Sequence, residues 1–486
     1  MSVDRALEVL LDAALHPIVE MVLWRDGDAY EALAADGRVR FARDGTITEV
    51  EGRNPLGDQA TDRFAPLADE LAVRYPGRAA NSYPFAYEQA VQLFDHDAAP
   101  DLCIVHTAAH NWEDQGGHRG EHGSLDVVQA RAPFVLAGAG VRNLGRIPRA
   151  CRLVDVAPTV AALMGVAPVD GNGRLLSHQD GEPVLDLVEG GGARPDHVVG
   201  FLFDGCNPNV LYDLADRGEA PNVARLMAMG TTFEHGAMAS LPTVTLANHT
   251  SVLTGAHPGH HGILHNAWFD RAAGQQVVTN SPATWAGAMR WLGAGVETLH
   301  HAVHRTWPGA VTASMNEPCD AGADFSTFDL IRRGIAIERP PVAEELPHAT
   351  ERFVRPVKDY QWSSRVDHTA VAQFAGVWGG DPYYGVSWSV PSFTWVNFTL
   401  TDAAFHEGGP HSEIAHASVH DTDARLGEVL AAVERAGVWD RTAFFLVADH
   451  GMEETNPAVQ GDWGVQLREA GIAFRDEAFG FLYLDP

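Results

Sequence analysis

The chain has 486 residues, of which 45% are hydrophobic and 20% charged, and its formal net charge is −30. That length and apolar content rule out disorder over most of the chain and suffice for two or three domains or one large α/β unit. With 34 Lys plus Arg against 64 Asp plus Glu, charge attraction to a nucleic acid polymer is excluded, because counterion release needs clustered cations; a small anion held by metal ions is still allowed.

From the N-terminus, MSVDRALEVLLDAALHP carries acidic residues and helical apolar spacing over Asp4–Leu15, unlike the basic start and unbroken apolar run of a secretory signal. No run reaches the roughly 20 apolar residues that span a bilayer. The four cysteines, Cys103, Cys151, Cys206 and Cys319, form no C-x-x-C pair, so neither a thiolate zinc site nor a disulfide framework is expected. These features predict a soluble cytoplasmic protein with no membrane partner. Apolar runs of strand length follow at Ile18–Trp24, Leu102–His106, Pro133–Ala137, His197–Phe203, Thr394–Leu400 and Thr442–Ala448, each leading into turn or helix signals. This rhythm predicts an α/β fold with a mostly parallel central sheet and helices on both faces. A linker is expected at GGGARP, Gly190–Pro195, within 190–196. Residues 267–393 lose the strand rhythm and gain Trp285, Trp291, Trp307, Phe328, Trp362, Tyr383 and other aromatics. That segment reads as an inserted cap, its aromatics mostly core with some lining a pocket.

Three strand runs end on acids: HVVGFLF runs into Asp204, TWVNFTL is followed by Asp402, and TAFFLVA runs into Asp449-His450. Ligands bind beyond the carboxyl ends of parallel strands, so these carboxylates can meet there. Asp402 and His406 are four apart, which puts both on one helical face, suited to one divalent ion. Asp449 and His450 are adjacent and can serve two different ions where the chain turns at Gly451. With Asp204 this makes two half-filled coordination shells. Upstream, LPTVTLANHTSVLTGAHPGHHGI predicts a helix over Leu246–Leu253 with Thr245 at or near its N-cap. There a hydroxyl is either an ordinary cap or a nucleophile facing unpaired N–H groups.

The set VGFLFDG, LPTVTLANHTSVLTGAHPGHHGILHNAWFD, TLTDAAFHEGGP and LVADHGM, spread over Val199–Met452, resembles the type I phosphodiesterase/nucleotide pyrophosphatase branch of the alkaline phosphatase superfamily. The resemblance implies an alkaline-phosphatase-like core and two zinc ions. One would be held by Asp204, Asp449 and His450 with the Thr245 hydroxyl, the other by Asp402 and His406. Asn266 would donate to a phosphoryl oxygen, whereas His257, His260, His261 and His265 match no ligand position. The family has one more histidine ligand after D-H-G-M, but this chain has no histidine after Met452. Near the start, HRGEHGSLDVVQARAPFVLAGAGV and CRLVDVAPTVAALMGV resemble that missing histidine motif and the family's closing elements. The resemblance therefore implies a circular permutation: residues 1–189 correspond to the family's C-terminal section, 190–196 join it on, and 197–266 with 394–486 form the remaining core around the 267–393 insertion, all one catalytic domain. His122, followed by Gly-Ser, becomes the remaining ligand of the second zinc, with His118 as the alternative.

Two zinc ions roughly 4 Å apart would clamp an in-line displacement that passes through a covalent phospho-threonine. Histidine and carboxylate ligands suit zinc and also admit manganese, iron or cobalt. The implied substrate is a small phosphorylated molecule, a phosphodiester or pyrophosphate such as a nucleotide. Phosphonate hydrolysis and phosphomonoester hydrolysis are the related alternatives; the single lysine, Lys358, speaks weakly against the former. A sulfatase lacks its C/S-x-P-x-R context here. A metal- or ligand-binding protein without turnover is the alternative of another class.

Overall fold

The computed structural model describes residues 3–111, 118–188, 193–338, 358–478 and 480–484. The elements that position the site are α1 (Val3–Leu10), β1 (Val19–Asp26), β2 (Leu102–His106), β3 (Arg131–Gly138), α2 (Val156–Met164), β4 (His197–Phe203), β5 (Gly230–Met238), α3 (Thr245–Thr254), β6 (Thr312–Met315), α4 (Lys358–Trp378), β7 (Phe393–Phe398), α5 (Leu400–Gly408), α6 (Glu413–Arg435), β8 (Thr442–Val447), α7 (Trp463–Glu469) and β9 (Phe481–Leu484). All six strand expectations are met within a few residues. The first helix stops at Leu10 rather than Leu15, because the Asp12 carboxylate accepts the Ala14 N–H at 2.9 Å and turns the chain locally. Of the expected linker, residues 190–192 lie outside the described residues, and 193–195 lead without regular structure towards β4.

The central sheet runs in the order Phe325–Ser326, β6, β7, β4, β8, β3, β5, Gly145–Ile147, with Cys151–Arg152 also paired to β5. Neighbours from β6 through β8 are parallel, whereas β3 is antiparallel to both β8 and β5. Every residue of β4, β7 and β8 is buried, which is why these strands read as unbroken apolar runs instead of alternating ones. Phe201, Phe203, Trp395, Phe444 and Phe445 fill this core, each contributing about 1.5–3 kcal/mol by leaving water. A second sheet of seven strands places β9 beside β2 and β2 beside β1, all antiparallel. Ala6, Leu7 and Leu10 of α1 share one apolar cluster with Trp463 and Leu467 of α7 and with Leu482 of β9. The first and last elements of the described chain are thus packed together.

Part of the 267–393 segment belongs to the central sheet. Within it β6 and Phe325–Ser326 extend the central sheet, and Tyr360, Phe374 and Trp378 of α4 join the main hydrophobic cluster. The strand rhythm is weak there because these strands are short, of 4 and 2 residues. All four cysteines are buried and unbridged. Among the described residues no helix is long and apolar enough to cross a membrane.

Candidate two-metal site

The acids that follow the parallel strands lie near one another, Asp204 sharing one donor group with Asp402 and another with Asp449. Asp204 follows β4 directly; its N–H donates to the Phe398 carbonyl at 2.9 Å, and its own carbonyl accepts the Thr401 hydroxyl at 2.6 Å. The next residue, Gly205, has φ +62° and donates its N–H to Asp449 Oδ1 at 3.0 Å. A Cβ at this position would lie 2.6 Å from Asp402 Oδ1, so only glycine both makes the turn and admits the second carboxylate. On α5, Asp402 and His406 share a face, with His406 Nε2 3.4 Å from Asp402 Oδ1.

Thr245 is the first residue of α3, one position inside the predicted cap. Val244 takes the cap position in extended conformation without a side-chain hydrogen bond, a geometry that suits a β-branched residue. Thr245 is thereby left beside the unpaired amides of the first turn. The Leu246 N–H donates to Asn266 Oδ1 at 3.1 Å, which turns the Asn266 NH2 group away as a spare donor. Thr245 and Asn266 line one cavity of about 220 Å³ together with His122, Asp402 and His406.

His122 arrives from the opposite end of the sequence. Gly120–Glu121 pairs antiparallel with Glu453–Glu454, just past Asp449-His450-Gly451-Met452. On its other side Gly123 N–H donates to Thr243 Oγ1 at 2.9 Å, and that hydroxyl donates to the Ser124 carbonyl at 2.7 Å. The loop is therefore tied both to the D-H-G-M segment and to the turn before Thr245. This places His122 Nε2 3.2 Å from His406 Nε2 and 3.8 Å from Asp402 Oδ1, across 284 residues of sequence. His118 pairs with Glu121, Nδ1 to Oε1 at 3.0 Å, stands ring to ring with His406, and forms a donor group of its own with Glu121 and His406.

The donor chemistry fits divalent cations. His122, His406 and His450 each direct Nδ1 at a backbone carbonyl, of Thr243, Gly120 and Gly451, at 2.8 Å in every case. A donating Nδ1–H leaves Nε2 as a lone pair facing the cluster. Asp204 Oδ1, Asp402 Oδ1, Asp449 Oδ2 and His450 Nε2 are buried with no hydrogen-bond partner, a cost of about 1–3 kcal/mol each unless something else satisfies them. His122, Asp402 and His406 form one three-donor group; Asp204, Asp402 and His450 form another. Burial and the nearby Asp449 and Asp402 push the Asp204 carboxyl well up, while burial and the facing His450 and His406 rings push His122 well down. For His406, burial is outweighed by Asp402 and Glu121, and its pKa rises to about 10. Bound cations would offset this crowding of buried carboxylates.

None of the four other histidines of the 257–265 region belongs to a donor group among the described residues. His257 pairs with Glu88, His260 with Asp180 and Asp95, and His261 with the Ala247 carbonyl, all outside the donor groups. His265 differs: it lines the site cavity beside Asn266, its ring edge-on to Phe481. Sequence reasoning missed His249, which forms a donor group with Asp204 and Asp449. The signal was available, since Thr245 and His249 are four apart on one helix, the same spacing as Asp402 and His406. Asn280 was also missed; it lines both this cavity and a neighbouring one of about 140 Å³ walled by Trp285, Phe328 and Trp362.

A family model described as type I phosphodiesterase/nucleotide pyrophosphatase matches residues 198–484. The chain belongs to this family. The match includes Asp204, Thr245, Asn266, Asp402, His406, Asp449 and His450, and begins after His122 and β3. Among relatives of this phosphodiesterase-family chain, an uncharacterised pyrophosphatase/phosphodiesterase of Schizosaccharomyces pombe is 23% identical over 266 residues, 53% of this chain and 45% of the relative. Ectonucleotide pyrophosphatase/phosphodiesterase family member 3 of Mus musculus is 24% identical over 264 residues, 53% of this chain and 25% of the relative. The chain thus spans less than half the length of these two relatives. Among solved structures, murine ectonucleotide pyrophosphatase/phosphodiesterase 5 aligns with a TM-score of 0.37 and 16% identity, covering 52% of this chain and 57% of that one.

Proposed function

We propose that this chain is a two-metal phosphohydrolase that cleaves a phosphodiester or pyrophosphate bond in a small, nucleotide-like substrate through a covalent phosphothreonine at Thr245. The observation that carries this reading is the meeting of His122 with Asp402 and His406, on the same cavity wall as Thr245 and Asn266. In the reading, Asp204, Asp449, His450 and the Thr245 hydroxyl hold one zinc, and Asp402, His406 and His122 hold the other; manganese or iron also suits these donors. Zinc bound there supplies Lewis-acid charge that lowers the pKa of a hydroxyl or water and offsets charge on phosphoryl oxygens.

The chain's own residues account for the rest. Thr245 Oγ attacks phosphorus, forming the Oγ–P bond as the bond to the leaving oxygen breaks; water then attacks phosphorus and releases Thr245. The Asn266 NH2 group and the backbone N–H of Thr245 donate to the phosphoryl oxygens as charge builds on them. The smaller cavity also reaches Thr245 and Asp402, and its aromatic wall sets Trp285 and Trp362 5.8 Å apart, centroid to centroid. That wall suits a flat group on one side of the scissile bond. Among the described residues no Lys or Arg lines either cavity, and the reading takes a diester or pyrophosphate over a monoester, whose extra charge calls for a cation.

In the same reading the chain order is permuted. Residues 1–189 supply the family's closing section ahead of its opening one, with 190–196 as the join. Support comes from β3 lying inside the central sheet between β8 and β5 although it precedes the matched residues.

The deciding experiment compares zinc-loaded wild type and Thr245→Ala on aryl phosphodiester and aryl phosphomonoester substrates. The expected result is a preference for the diester and a loss of at least about 10³-fold in the variant. A variant as active as wild type would refute the nucleophile.

A further inference from the structure

His249 lies one turn beyond Thr245 in α3 and is 1% exposed. Its Nε2 faces two strand-end carboxylates, Asp449 Oδ2 at 3.4 Å and Asp204 Oδ2 at 3.6 Å. Its Nδ1 faces both oxygens of Glu317, at 2.9 and 3.1 Å. Glu317 is fully buried and is itself held: Oε2 accepts the Trp395 indole N–H at 3.0 Å, and Oε1 accepts the Cys319 N–H at 2.8 Å. A rigid path therefore runs from β7 and the chain just after β6, through Glu317 and His249, to the carboxylates after β4 and β8. The two oxygens of Asp204 are divided along it, Oδ2 towards His249 and Oδ1 towards His450 Nε2 at 4.0 Å. On Asp449, Oδ1 accepts the Gly205 N–H at 3.0 Å, and Oδ2 lies between His249 and His450.

We infer that His249, braced by Glu317, is a positioning residue of the metal centre. It faces the Oδ2 atoms of Asp204 and Asp449, at 3.6 and 3.4 Å, and so sets which oxygens they present to an ion. Because His249 shares α3 with Thr245, the same brace sets the nucleophile's helix against the carboxylates. Groups that orient ligands in this way typically alter metal affinity or activity by about 10–100-fold when removed. The inference rests on the two-metal reading above.

The test uses the full chain and zinc itself. Zinc retention is measured by competition with a coloured chelator for wild type, His249→Leu, His249→Gln and Glu317→Gln, with metal-free melting curves as a check on folding. The expected result is that one of two zinc ions is lost at about 10–100-fold lower chelator concentration in His249→Leu, that His249→Gln, which keeps a donor, recovers part of this, and that Glu317→Gln shows a smaller loss. The split between kcat and KM should follow, with kcat falling and KM for the diester little changed. Should His249→Leu fail to fold, Glu317→Gln decides. Folded variants that keep both zinc ions at wild-type affinity would overturn the inference and leave the functional reading intact. A wild type that retains no zinc would instead overturn the functional reading.

Discussion

At the scale of single residues, the site depends on imidazoles whose outer nitrogen is already spoken for. His122 is held by the Thr243 carbonyl on Nδ1 and stacks on His450 with ring centroids 3.6 Å apart. Removing it takes one donor from the group it forms with Asp402 and His406. His122→Ala should therefore lower zinc content from about two towards one per chain and depress diester hydrolysis; elemental analysis showing full occupancy would sink the ligand assignment. The sequence made Asp402, His406, Asp449 and His450 legible because their spacing lies within one helical turn or one strand end. It did not make Glu317 legible, since a lone Glu in a loop gives no sign that it is fully buried against His249.

At the scale of elements, two turns carry more than their length suggests. Gly205 has φ +62° and no room for a Cβ beside Asp402. Gly205→Ala should cost roughly 1–2 kcal/mol for the left-handed backbone alone and also weaken zinc retention by displacing Asp402. A denaturant midpoint and zinc content equal to wild type would show that the turn is not under this constraint. The His260 cross-link ties Asp95 and Asp180 to the 257–265 region. Hydrogen bonding to Asp180, with Asp95 adding, raises its pKa to about 9 from 6.5. A folded-state pKa above the unfolded one stabilises fully below about pH 6.5 and loses that contribution as pH rises through about 9. His260→Gln should thus melt below wild type at pH 6, by an amount on the order of 1–2 kcal/mol after solvent screening, and the gap should close by about pH 10. A gap that stays constant in thermal melts across this range would contradict the assignment.

At the scale of the whole molecule, chain order and spatial order differ. Asp180 and Asp95 meet His260, the Gly120–Glu121 strand meets Glu453–Glu454, and α1 shares a cluster with β9. Termini packed together can be joined and a new break made in an exposed linker without altering the core. A rearranged chain that begins near Ala193, runs to the present C-terminus and continues through a short linker into residues 3–188 should fold. It should bind zinc and hydrolyse the aryl diester within a few-fold of the original. A soluble but metal-free product would contradict the permuted reading.

The sequence by itself determined the strands, the strand-end acids and the helix-spaced Asp402 and His406, because period, turn residues and local spacing are properties of neighbouring residues. It also pointed to His122 through the Glu-His-Gly-Ser motif, though only by resemblance. The tertiary structure alone decided which histidine stands beside Asp402, how far the 267–393 segment enters the core, and that His249 and Glu317 back the carboxylates. Each of these is a contact between residues far apart in the chain, and burial on a folded core, unlike periodicity, leaves no local trace in the order of amino acids.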